Sequence, residues 1–391
     1  MKATNRLIGR WWPVAAVAGL WAVLFFTVLK NQMVDFEVNY KAGFRLSEGE
    51  TLYPGPLLEG HYEFKYPPFA ALVYLPLALL PLTAAKGIWS LLVLAASGAC
   101  LWLSIRLSDA KEHPPHPALA LLPGLVLVRF FLRELQLGQV NAVVMLLLLT
   151  MTSVLFVKEG QKASKHGELL GGLLWALAVA VKPYSFIFFP YFLIKKRWNV
   201  LLVGLAALGA AFLIPAFFYG FRGNMTVHHE WVSTLSRSTP HLLTSQDNIS
   251  LLALLAKWRF IGPSPLAAWV VAAGLLGLVM LAIMLQGRGL AQPEFLECSA
   301  LLFIIPLLSP LGWDYTFLFS LPALTLCFRH SINLRWGGRI TFYTNACLIF
   351  FMLYDLLGRK AYACLMGLSL PTLFFSVILG FLVHVRWKRL A

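Results

Sequence analysis

The sequence predicts an all-α polytopic membrane protein, and three observations carry that expectation. Hydrophobic residues make up 59% of the 391 and charged residues only 13%, where water-soluble domains carry about 25% charged residues. Apolar runs recur from Trp11 to Val385, so one integral-membrane domain over 1–391 is expected rather than a soluble half joined to an anchor. With 29 Phe, 13 Trp and 12 Tyr the chain is not a disordered polymer.

Charge sharpens the class. Thirty-two Lys and Arg against 17 Asp and Glu give +15, which in a soluble protein would suggest nucleic acid. In a bilayer the same excess records basic cytoplasmic loops beside anionic lipid, so membrane lipids, and no nucleic acid, are the expected partners. Cys100, Cys298, Cys327, Cys347 and Cys364 fall in or beside apolar runs without paired spacing, against a disulfide framework or a metal cage. The first apolar run follows Lys2, Arg6 and Arg10 and has no small-residue cleavage site before Lys30, so it reads as a retained span.

About 20 apolar residues cross a hydrocarbon core. Candidate spans are Trp12 to Leu29, Gly87 to Ile105, Ala118 to Leu132, Val140 to Val157, Leu169 to Val181, Tyr184 to Ile194, Val200 to Tyr219, Leu266 to Leu285, Phe295 to Leu308, Trp313 to Phe328, Ile340 to Leu357 and Ala363 to Val385, about twelve in all. The run Tyr66 to Leu82 is apolar but carries Pro67, Pro68, Pro76 and Pro81. If it lies on the outer surface without crossing, the compact basic loops at Lys158/Lys162/Lys165, Lys195/Lys196/Arg197, Arg329/Arg335/Arg339 and Arg386/Lys388/Arg389 all fall inside. It is therefore expected to form an interfacial helix closing a first external loop, 30–82. A second external loop, 220–264, holds His228, His229, His241 and an amphipathic stretch from Asn248 to Phe260. No repeat of fixed period is visible, which weighs against a transporter built from duplicated halves.

Several polar residues sit where spans meet water. Asp35 follows the first span by a few residues, at a depth where the carboxylate pKa rises toward the range a general base needs; the alternative is a helix cap or a solvated acid. Glu37 competes for the same role. Tyr66-Pro67-Pro68 is a rigid corner that can hold Lys65 and Tyr66 over the membrane surface, or simply a helix start. Gln139 and Asn141, two apart, present amides suited to sugar hydroxyls at an external turn. Arg129 and Arg133 precede them, and Arg129 either pairs or snorkels.

Lys182-Pro183 interrupts two runs too short to span, which places an ammonium at the floor of an external cavity where it can hold a phosphate. In Ser309-Pro310-Leu311-Gly312-Trp313-Asp314-Tyr315, an Asp between aromatic residues suits a sugar, although Trp and Tyr also populate the interfacial belt and Asp314 could cap a helix. His228 and His229 are read as surface or substrate contacts, since adjacent histidines point apart. The chain lacks a Gly-rich phosphate loop, His-Glu-x-x-His and Gly-x-Ser-x-Gly, which excludes the common nucleotide, zinc-protease and serine-hydrolase signatures.

The order of these motifs is more specific than any one of them. An acid after the first span is followed by Leu52-Tyr53, Tyr66-Pro67-Pro68, Gly138-Gln139-Val140-Asn141, Gly171-Gly172-Leu173 running to Lys182-Pro183, Lys196-Arg197-Trp198, Asn248-Ile249-Ser250 and Ser309-Pro310-Leu311-Gly312-Trp313. That succession resembles glycosyltransferase family 87, the polyprenyl-phosphate-mannose-dependent α-1,2-mannosyltransferases of the GT-C superfamily, over roughly Asp35 to Pro322. Where family members often carry a histidine beside the last Trp, Asp314 and Tyr315 stand here.

The resemblance implies a GT-C-type fold with juxtamembrane helices after the first span, in a bacterial cytoplasmic membrane with its site outside. It implies an inverting transfer of a hexose, with mannose the family's sugar, from a polyprenyl-phosphate-linked donor to a glycan or glycolipid acceptor. Asp35 takes the place of the base. Lys182, with Arg129 or Arg133, would meet the phosphate. Glu37, Tyr66, Gln139, Asn141, His228, His229, Asn248, Trp313, Asp314 and Tyr315 are the candidate sugar and acceptor contacts, and neither cofactor nor metal is required. A lipid-linked oligosaccharide flippase or polymerase is the alternative.

Overall fold

The computed structural model of the chain describes residues 19–55, 62–108, 117–156, 164–258, 264–286 and 293–387. Helices and short 3-10 turns build it, and the described residues contain no strand beyond an isolated bridge between Asn248 and Trp313. Trp12, Lys158, Lys162, Phe260, Lys388 and Arg389 lie outside the described residues.

Helix α1, Gly19–Asn31, ends at Met33, whose left-handed backbone (φ 66°) turns the chain into α2, Val34–Glu48. The Pro67-Pro68 corner leads to α3, Ala70–Ala78. Its nine residues reach about 14 Å, half the roughly 30 Å of a hydrocarbon core, so this helix alone is too short to span one. It packs on α2, where a Cβ on Gly43 would stand 2.9 Å from the backbone of Tyr74 and Leu75. Helix α4, Leu82–Ser108, follows at once.

Helices α5, Pro117–Val126, and α6, Val128–Leu137, meet α7, Asn141–Leu155, through a turn at Gly138; α6 and α7 differ in direction by 120°. Helix α8, Lys165–Val181, opens on Ser164, whose hydroxyl accepts from the Gly167 N–H, and stops at Lys182, held extended. A 3-10 turn, Pro183–Ile187, then leads into α9, Phe188–Ile194. Proline lacks the N–H that a continuous helix would use there. The sequence runs on either side of Lys182-Pro183 are thus two separate helical pieces, as their shortness indicates.

Several expectations change. The run Val200 to Tyr219 breaks after α10, Trp198–Leu213, and turns by 91° into α11, Ala216–Leu242. Segment 220–264 is therefore mostly helical rather than a loop, with α11 followed by α12, Leu251–Lys257. After α13, Pro265–Leu285, and α14, Pro293–Leu308, the run Trp313 to Phe328 begins as a 3-10 turn, Asp314–Ser320, before α15, Leu321–His330. The run Ile340 to Leu357 breaks between α16, Trp336–Phe351, and α17, Tyr354–Gly367, which are bent by 96°, ahead of α18, Leu370–Trp387. Apolarity marks depth in the membrane, and it does not report these breaks.

Among the described residues α4, α13 and α18 are each long and apolar enough to cross a membrane, and three bent pairs raise the number to six. The protein is an integral membrane protein. Its centre is α14 and the Asp314-to-Phe328 stretch, buried at every residue from Phe295 to Leu307 and from Asp314 to Phe328; a helix apolar all round must be enclosed. Helices α4, α5 and α18 enclose α15.

Helices α8 and α10 approach backbone to backbone through small residues, as membrane helices commonly do. A Cβ on Gly204 would stand 2.4 Å from the Trp175 ring, whereas one on Gly209, in the same helix, would meet nothing within 4 Å. Gly204→Ala is therefore expected to lower the thermal midpoint in detergent by the equivalent of about 1–3 kcal/mol of overpacking. Gly209→Ala should leave it unchanged or raise it, and equal effects of the two would contradict this packing.

Candidate active site

One cavity of about 830 Å³ opens between the start of α2, the 62–66 segment, the α6–α7 turn, the Lys182 break, α11 and residues 309–316. Asp35 is the second residue of α2, where the unpaired N–H groups of a helix start favour negative charge. Two contacts fix it. The Met33 N–H donates to the Gln136 carbonyl at 2.8 Å. Gly138, at φ 70°, presses so closely on α2 that a Cβ there would stand 2.5 Å from Cβ of Phe36. No other residue fits both that dihedral and that gap.

The turn delivers Gln139 to Asp35. Gln139 Nε2 donates to Asp35 Oδ2 at 2.7 Å and to the Tyr315 hydroxyl at 3.1 Å. Its Oε1 accepts from the Tyr66 hydroxyl at 2.9 Å and lies 3.5 Å from Lys182 Nζ. An amide offers two donors and two lone pairs, so Gln139 is fully engaged and links the carboxylate to the ammonium instead of presenting free groups to a sugar. Lys182 Nζ also sits 4.5 Å from the centre of the Tyr66 ring and 5.7 Å from that of Tyr184, within cation–π range.

Behind this wall Glu134, fully buried, accepts from Asn141 Nδ2 at 2.8 Å and from the Ala142 N–H at 2.9 Å, closing the start of α7. Asn141 Oδ1 takes the Tyr184 hydroxyl at 2.6 Å, so Asn141 supports the wall and does not line it. Arg129 likewise stands outside the cavity. Its Nη2 donates to Asp314 Oδ2 at 2.8 Å and to the Tyr362 hydroxyl, with the Tyr362 ring 4.9 Å away. Asp314 reaches the cavity wall, but its Oδ1 accepts from the Tyr315 N–H at 2.8 Å, so both oxygens are engaged.

Other sequence candidates also move. Glu37, about 200° around the helix from Asp35, pairs with Lys86 at 2.6 Å. Asn248 Nδ2 donates to the carbonyls of Leu243 and Pro310 at 2.9 and 3.0 Å, pinning the 309–313 segment. His228 Nδ1 lies 2.8 Å from the Asn224 carbonyl with its ring against Phe212, and His229 is exposed; neither lines the cavity. Asp35, Tyr66, Arg133, Gln139, Lys182, Trp313 and Tyr315 do line it.

Among the lining residues that sequence reading passed over are Tyr184, Trp231 and Asp247. Tyr184 adjoins the Lys182-Pro183 break and Asp247 immediately precedes Asn248-Ile249-Ser250, so each lay one residue outside a motif. Trp231 lies on α11, within a segment read as loop. Among the described residues no three His, Cys, Asp or Glu side chains gather into a metal site.

Burial raises the Asp35 pKa above the usual carboxylate value, against the opposing pull of the Gln139 hydrogen bond and of Lys182, Arg133 and Lys65. A carboxylate poised in this way accepts a proton closer to neutral pH.

A helical membrane protein whose cavity sets a poised carboxylate against an ammonium between aromatic walls has the plan of a membrane glycosyltransferase. The chain belongs to glycosyltransferase family 87, whose profile matches residues 64–310. The matched segment takes in Tyr66, Gln139 and Lys182, while Asp35 and Trp313 lie beyond its two ends.

Among its relatives is a polyprenol-phosphate-mannose-dependent alpha-(1-2)-phosphatidylinositol mannoside mannosyltransferase of Mycobacterium tuberculosis, 26% identical over 74% of this chain and 69% of the relative. Another is the phosphatidylinositol pentamannoside mannosyltransferase of Mycolicibacterium smegmatis, also polyprenol-phosphate-mannose-dependent, 25% identical over 84% of this chain and 78% of the relative. No solved structure matches the chain. Family membership makes the chain an enzyme, which decides against a flippase.

The Arg129–Asp314 pair is buried on both sides, and removing one partner strands the other charge. Arg129→Met is expected to destabilise the protein by about 3–5 kcal/mol, and Arg129→Met with Asp314→Leu should recover part of that loss. Thermal unfolding in detergent checks it; a double variant no better than the single would refute a paired role.

Proposed function

We propose that the enzyme transfers mannose from polyprenyl-phosphate-mannose to a hydroxyl of a glycolipid acceptor of the mannosylated phosphoinositide kind. Asp35 acts as the base, and the site lies on the outer face of a bacterial cytoplasmic membrane. The observation that carries this reading is that Asp35 and Lys182 face one cavity, joined through the single side chain of Gln139. The donor and acceptor classes come from the relatives' activities. The rest of the reading is one GT-C-type domain of about twelve spans, in which the breaks after α10 and α16 mark helices lying along the surface.

Asp35 takes the acceptor proton as the hydroxyl oxygen attacks the anomeric carbon, and Lys182 stabilises the charge that collects on the departing phosphate. Tyr66, Trp313 and Tyr315 give the sugar rings flat apolar walls. Arg133 lines the same cavity half-exposed, 3.4 Å from Asp247 and 3.2 Å from Gln136, so its charge is already answered there.

Asp35→Asn should lower kcat by about 10²- to 10⁴-fold while donor binding persists; retained turnover would remove the base. Because the base works ionised and its pKa is raised, kcat/KM should climb with pH along an acid limb lying above the ordinary carboxylate value of about 3.9. Lys182, Arg133, Lys65 and the Gln139 amide are the groups that hold that limb down. A profile flat down to the ordinary carboxylate range would contradict the environment described for Asp35.

A further inference from the structure

Most charged side chains around the cavity are held by one another. Arg133 lies 3.4 Å from Asp247, Arg237 2.8 Å from Glu63 and Arg129 2.8 Å from Asp314. Asp35 and Lys182 meet through Gln139. Lys65 differs: it lines the cavity half-buried, and its ammonium has no hydrogen-bond or ion-pair partner among the described residues.

Its backbone, in contrast, is strongly fixed. The Lys65 carbonyl accepts from Trp231 Nε1 at 3.1 Å, the Tyr66 carbonyl accepts from the Tyr53 hydroxyl at 2.6 Å, and Pro67 and Pro68 follow. Burial lowers the Lys65 pKa, opposed by Glu63 and Asp35. A partly desolvated ammonium with no direct hydrogen-bond or ion-pair partner is costly until an anion arrives to meet it.

We propose that Lys65 is a catalytic residue, the second cation which, together with Lys182, neutralises the phosphate leaving group. The inference rests on the donor class proposed above. In the donor the phosphodiester carries one negative charge, and with ionised Asp35 it balances the two ammonium groups. As the acceptor oxygen bonds to the anomeric carbon, its proton passes to Asp35. The bond from that carbon to the phosphate oxygen breaks, and its electron pair stays on the phosphate. The product is a neutral Asp35 and a phosphate monoester with two negative charges, again matched by Lys65 and Lys182. With Lys182 alone, the second charge would develop unopposed in a poorly hydrated cavity, where a fixed cation contributes most.

The test uses the whole chain at about pH 7, where a phosphate monoester is largely a dianion (second pKa about 6). Two competitors are compared, farnesyl phosphate and its methyl diester, which bear two charges and one. Lys65→Gln is expected to lower kcat about 10- to 100-fold with donor KM shifted less than about threefold. It should also abolish the wild-type preference for farnesyl phosphate over the diester, while Lys65→Arg retains most of both. Donor binding by the same Lys65→Gln preparation shows that it is folded, and Lys65→Met is read identically if the glutamine variant is not. Unchanged kcat and preference would overturn the proposal, as would a loss confined to acceptor KM. A wild-type enzyme that fails to transfer from polyprenyl-phosphate-mannose would instead overturn the donor reading, independently of Lys65.

Discussion

The contact between Gly138 and Phe36 is the constraint on which the site depends. The α6–α7 turn must lie against the first turn of α2 for Gln139 to reach Asp35, and only a residue without a Cβ, in a left-handed conformation, lets it approach. The Trp89 indole donates to the Gly138 carbonyl at 2.9 Å and locks the turn from α4. Asp35 owes its position to packing at a distance in sequence: α1 supplies the entry, α4 the lock and α6 the carbonyl that receives Met33.

Polar groups in an apolar bundle are stable only when they answer one another. At the cavity Glu134 ties down Asn141 and the start of α7, and Arg129 ties down Asp314. A second knot joins other helices. Glu297, fully buried, lies 2.7 Å from Lys195 and 3.8 Å from Arg386, with the Tyr191 hydroxyl at 3.2 Å. Lys195 closes α9 and Glu297 opens α14, about 15–20 Å of helix away from the cavity floor. The knot joins α9, α14 and α18 where they are remote from the chemistry, so it fixes the scaffold without entering the site.

How much of this was legible in the sequence depends on what each signal measures. Hydropathy gave the membrane class, and proline with a short apolar run gave the break at Lys182, because both are local properties. The position of Asp35 beside the first span was legible for the same reason. The partners of Arg129 and Asp314 were not: each looks like a candidate ligand until the fold places them 2.8 Å apart. Glu37 is tied to Lys86, a residue 49 positions away. The histidines stand away from the cavity because α11 is a helix, which turns His228 toward Phe212 and leaves His229 in the open. Composition marks polar residues at water's edge; only tertiary pairing distinguishes those consumed by structure from those still available.

The same distinction separates the floor of the cavity from its mouth. The floor rests on buried pairs, whose breaking typically costs about 3–5 kcal/mol. The mouth is tied by α11 through more exposed contacts: the Tyr219 hydroxyl to the Glu50 carbonyl at 2.7 Å, Thr51 to Glu230 at 2.8 Å and Arg237 to Glu63 at 2.8 Å. An exposed ion pair contributes only about 0–1 kcal/mol. Apolar packing adds to these ties, since Val227 of α11 is buried with Ala42, Leu46, Leu52 and Phe64, and Trp231 of α11 holds the Lys65 carbonyl. The mouth is therefore held by apolar contact and exposed polar ties, and the floor by buried pairs that answer one another.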